Sequence, residues 1–79
     1  MFYLAQADPN HRETSTIPNN WHRLRAPSRR DAAIKYLRRN PGIMQVHAPR
    51  VWILVAEDEP NNKHKTGIPI FMEAFLIEW

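Results

Sequence analysis

The chain of 79 residues has no cysteine, two glycines, two serines and no long apolar run, and each shortage removes a class of protein. Without cysteine there is no disulfide framework, no thiolate zinc site and no thiol nucleophile, and the profile fits a reducing, cytoplasmic setting. With only Gly42 and Gly67, no glycine-rich phosphate loop can be built. Neither Ser15 nor Ser28 stands in a nucleophile-elbow context. No stretch approaches the ~20 apolar residues that cross a bilayer, and the opening Met1-Phe2-Tyr3-Leu4-Ala5-Gln6 lacks the basic start of a signal peptide. His11, His22, His47 and His64 have no paired spacing that suits a metal, so neither metal nor cofactor is expected.

What is present is an ordinary apolar share of 43% and a lopsided charge. Residues 21–50 hold eight cations (Arg23, Arg25, Arg29, Arg30, Lys35, Arg38, Arg39 and Arg50) against Asp31, a formal +7. Residues 51–79 balance to −3, with Glu57, Asp58, Glu59, Glu73 and Glu78 against Lys63 and Lys65. Such a split presents a basic face to phosphate or to an acidic partner. Arginine dominates, and its guanidinium fork matches phosphate and carboxylate in two-point contacts.

One domain accommodates this length. Residues 2–6 read as a first strand, and 7–20 as a flexible polar loop around Asp8-Pro9-Asn10, Pro18 and Asn19-Asn20. Trp21 to Arg25 alternates apolar and basic residues, as a short edge strand does. Ser28, with Asp31 three residues on, resembles a capping box that opens a helix over 29–39. Its apolar face is Ala33, Tyr36 and Leu37, its polar face Asp31, Lys35, Arg38 and Arg39, and Asp31 can pair with Lys35. Asn40-Pro41-Gly42 ends it.

Beyond the helix, 43–48 and 51–56 read as an antiparallel hairpin, the second strand apolar on both sides and therefore central. Residues 57–67 are a polar loop, and 68–79 reads as a last strand, with a helix after Pro69 as the alternative. The expected fold is α+β: a small antiparallel sheet of three to five strands with one helix on one face. One helix leaves apolar residues over, which the loop at 9–20, a second copy or a partner can cover.

Trp21, Arg23, Arg25, Arg29 and Arg30 put an aromatic among guanidinium groups, and Lys35, Arg38, Arg39 and Arg50 extend the patch. Cations on phosphate and an aromatic on an unpaired base are the elements of non-specific nucleic-acid binding. The same patch suits an acidic protein surface. A ribonuclease-like toxin would need Glu57, His47, Arg50 and Arg23 gathered in one place.

The layout of a short first strand, a long polar link, the helix opening Ser28-Arg29-Arg30-Asp31-Ala32-Ala33 and then strands resembles that of small phage-encoded inhibitors, anti-CRISPR proteins among them. The resemblance implies a non-enzymatic blocker that occupies a surface of a host nucleic-acid-handling complex. A nucleic-acid-binding regulator, and a small subunit docking or dimerising through a sheet face or through 68–79, are the alternatives.

Overall fold

A computed structural model describes residues 1–8 and 21–79. Strand β1 spans Phe2–Asp8, β2 His22–Arg25, helix α1 Arg29–Arg39, helix α2 Pro41–His47, β3 Arg50–Glu57 and β4 Glu73–Glu78, with one 3₁₀ turn at Pro60–Asn62. The strands form one sheet in the order β2-β1-β3-β4, and every neighbour is antiparallel. The class is the expected one, α+β with a small sheet, although two helices stand where one was expected.

The pairing registers sort the side chains into two faces, because opposed residues point the same way. Tyr3 stands opposite Leu24 and Glu57, Ala7 opposite Ile53, and Ile53 opposite Phe75. That face carries Tyr3, Ala5, Leu24, Val51, Ile53 and Val55, and α1 covers it with Ala32, Ala33, Tyr36 and Leu37, all buried. Alanine at 5, 32 and 33 lets helix and sheet approach closely, and all three are fully inaccessible. The other face carries Leu4, Gln6, Asp8, Trp52, Leu54, Ala56, Ala74 and Leu76. The 9–20 part of the expected loop lies outside the described residues. Its expected first residues do not: Ala7 and Asp8 pair with Ile53 and Trp52 and extend β1.

The helix at 29–39 forms for the reasons its sequence contains. Ser28 Oγ accepts the Asp31 N–H at 3.2 Å and donates to Asp31 Oδ2 at 2.8 Å, so cap and third residue satisfy each other. At the other end Asn40 Nδ2 donates to the Tyr36 carbonyl at 2.8 Å. The expected Asp31–Lys35 pair is absent among the described contacts. Lys35 Nζ instead donates to the Arg25 carbonyl at 2.6 Å and ties α1 to the edge strand β2.

The segment 43–48 is the clear correction. It is helix α2, not the first strand of a hairpin. Pro41 occupies the first turn, where its fixed φ and missing N–H cost nothing. Ile43, Met44 and His47 are half-buried, at helical spacing, while Val46 is 75% exposed. Strand β3 has no room for a 43–48 partner, since β1 takes one edge and β4 the other. Strand β3 is internal, as its two apolar faces predict, and the C-terminal strand is real but shorter, 73–78. Among the described residues no helix is long and apolar enough to cross a membrane.

Candidate functional site

The Arg-rich segment does not form one patch, because strand alternation and ion pairing divide it. On β2, Leu24 points to the core, so Arg23 and Arg25 emerge on the face away from α1. Arg23 Nε donates to Asp58 Oδ2 at 2.5 Å, and its guanidinium lies 3.8 Å from the centre of the Phe2 ring. Arg25 stands 6.0 Å from the same ring. Lys63 Nζ binds the second carboxylate oxygen of Asp58. Asp58 thus joins β2, the end of β3 and the following loop, with its side chain only 9% exposed.

The Lys63 hydrogen bond is the main force holding the Asp58 carboxyl below its ordinary value of 3.8; burial opposes it, and Arg23 assists. A lowered folded pKa means stability present above the unfolded value and lost as pH falls through the folded one. Urea titrations of the parent and Asp58→Asn should therefore differ by about 1 kcal/mol at pH 7 and converge below the ordinary carboxylate range. Equal stabilities at pH 7 would remove the Asp58 ion pairs from the energetics.

Arg29, at the start of α1, is also engaged. Its Nη2 donates to Glu57 Oε1 at 3.0 Å and its Nη1 to Glu73 Oε1 at 3.3 Å, clamping the helix to the ends of β3 and β4. The Glu57 hydrogen bond, then its charge and the Glu73 bond, raise the Arg29 pKa further. Lys35 is spent on the Arg25 carbonyl. Arg30, Arg38 and Arg39 are exposed along the solvent side of α1, with no ion pair among the described residues. Arg50 opens β3 and stands opposite Glu78, on the face away from α1. Trp21 is half-buried just before β2, and its indole Nε1 has no hydrogen-bond partner among the described residues.

The four residues a ribonuclease-like site would need are not gathered. Arg50 and Glu57 are the first and last residues of β3, roughly 23 Å apart at strand rise. Arg23 and Glu57 point to opposite faces of the sheet.

A different surface is built with more care, and sequence reading missed it. Residues 60–72 form a tight excursion between β3 and β4. The His64 N–H donates to the Ile68 carbonyl at 2.8 Å, the Gly67 N–H to the His64 carbonyl at 2.9 Å, and the Ile70 N–H to the Asn62 carbonyl at 2.9 Å. Gly67 sits at φ 87°, a left-handed position that suits glycine. Asn62 then uses its side-chain amide as a strand would use its backbone. Its Oδ1 accepts the Phe71 N–H at 2.9 Å, while Nδ2 donates to the carbonyls of Phe71 and Glu57, both at 3.1 Å.

The residue so fixed, Phe71, is 78% exposed, with Ile70 and Ile68 beside it at 41% and 37%. It borders a groove of about 430 Å³ lined also by Arg29, Glu57, Asn61, Met72 and Glu73. The available signal was Ile68-Pro69-Ile70-Phe71, where a proline inside an apolar run argues against a regular strand. No family model, curated protein or solved structure matches the chain, so its surfaces speak for themselves.

Proposed function

We propose that the chain is a small non-enzymatic binding protein that works by occluding a surface of a partner protein, with Phe71 as its anchor. The observation that carries this reading is the pinned, exposed Phe71: both of its backbone groups are held by Asn62 while its ring faces water. Leaving a phenylalanine out of the core forgoes about 2 kcal/mol of burial. Holding its backbone in place removes part of the ordering cost on association, and aromatic residues with arginine dominate the energetics of protein interfaces. The layout's resemblance to phage-encoded inhibitors supports a target within a nucleic-acid-handling complex.

A photo-crosslinking phenylalanine analogue at position 71 tests this in cells, with the same analogue at position 38 on α1 as comparison. The expected result is one predominant protein adduct from position 71, competed by excess parent chain. Phe71→Ala should compete about 30- to 150-fold less well, the equivalent of about 2–3 kcal/mol. Its fold stability should stay within about 0.5 kcal/mol of the parent, since the ring is mostly exposed. Diffuse adducts from position 71, or equal competition by Phe71→Ala, would sink the reading.

The second reading, phosphate binding, rests on Arg30, Arg38 and Arg39, whose side chains are exposed and unpaired among the described residues. Affinity for labelled DNA or RNA falling steeply between about 50 and 200 mM salt, and lost on charge reversal at 38 and 39, would favour it.

A further inference from the structure

Among the described residues strand β4 is an edge of the sheet, and its hydrogen-bonding pattern specifies what fits against it. The Trp79 N–H donates to the Pro49 carbonyl at 2.9 Å, toward β3. In an antiparallel strand each residue's N–H and C=O point to one side and successive residues alternate. Residues 77, 75 and 73 therefore also bond toward β3, and Ala74, Leu76 and Glu78 direct theirs to the open edge. These three positions are symmetric about Leu76.

We infer that this edge pairs with the same edge of a second copy, antiparallel and centred on Leu76. In that register Leu76 meets Leu76, Ala74 meets Glu78, and all outward groups of both strands find partners within 74–78. Centring on Phe75 instead would carry Glu78 past the strand to Met72, outside β4. Charge permits the chosen register, because Glu78 faces Ala74 and Glu73 faces Trp79, so no side-chain carboxylates oppose each other. On the α1 side Phe75 meets Ile77, an aromatic–β-branched pair of the kind that stabilises strand contacts. The edge carries no lysine or proline, and its two charges, Glu73 and Glu78, stand at its ends and leave 74–77 uncharged. The Phe75–Ile77 pair and the absence of opposed side-chain carboxylates in this register favour a second copy over a foreign strand. The product would be a continuous sheet with both copies of α1 on one side.

The absence of cysteine makes the test clean. Paired residues of this type hold their Cα atoms about 5.5 Å apart, within disulfide range. Leu76→Cys should crosslink on mild oxidation at least about ten-fold faster than Val46→Cys, a control on the exposed face of α2. Sedimentation of the parent at about 100 µM should give twice the 9.3 kDa chain mass. Ala74→Pro removes one outward N–H and leaves the β3 ladder intact, so it should be a monomer with an unchanged circular-dichroism spectrum. A monomeric parent at that concentration, or equal crosslinking at 76 and 46, overturns the inference. Dimer formation that Ala74→Pro leaves intact, or crosslinking to a foreign protein in place of a second copy, overturns it too.

Discussion

Ile53→Ala is expected to cost about 3–4 kcal/mol and to lower the melting temperature by about 15–25 °C. Ile53 has no accessible surface, and it sits on the internal strand between Ala7 of β1 and Phe75 of β4, beneath α1. Truncation removes its outer carbons from a layer that the small alanines of α1 have already drawn close, so the cavity has few large side chains to refill it. A domain of this size holds roughly 4–12 kcal/mol in all, so one such loss takes a large fraction. Ile53→Val should cost only about 1 kcal/mol. Thermal and urea melts of the three proteins decide it: a loss below about 1.5 kcal/mol for alanine would mean that the site collapses freely.

Asn62→Ala should cost about 2 kcal/mol, or about 8–16 °C, although Asn62 is only half-buried and polar. Three hydrogen bonds disappear together: from the Phe71 N–H, and to the Phe71 and Glu57 carbonyls. Each is worth about 1 kcal/mol net. Asn62→Asp separates their roles. It keeps an acceptor for the Phe71 N–H but loses both donors and sets a carboxylate against two carbonyls, so it should be at least as damaging at neutral pH. Hydrogen exchange gives the local readout, with the Phe71 amide turning fast while that of Ile53 stays slow. Protection of Phe71 in Asn62→Ala would show that something other than the amide holds it.

Helix α1 was legible to the residue, since Ser28, Asp31 and the Asn40-Pro41 stop are local signals and nothing distant competes with them. The two-faced apolarity of residues 51–56 likewise marked an internal strand. Residues 43–48 were misread because Ile43, Met44, Val46 and His47 suit a short helix and a short strand about equally. The decision lay in β1, some forty residues earlier in the chain by order of magnitude, which occupies the edge of β3 that a hairpin would have used. The candidate site was harder for a related reason. Composition counts arginines but cannot say which are neutralised, and the partners of Arg29 lie 28 and 44 residues away. The Asn62–Phe71 contact spans nine residues and belongs to no periodicity.

The sheet order has a consequence for the chain during its synthesis. Strand β1 lies inside the sheet, and its longer partner is β3: Tyr3 waits for Glu57, and Asp8 for Trp52. At ~5–20 residues per second the ribosome takes roughly 3–10 s to deliver that partner after β1. Strand β2 arrives sooner but matches only Phe2 to Ala5. For that interval the nascent chain carries one apolar strand with an open edge, and this is the period in which a chaperone or a neighbouring nascent chain has its best access to it.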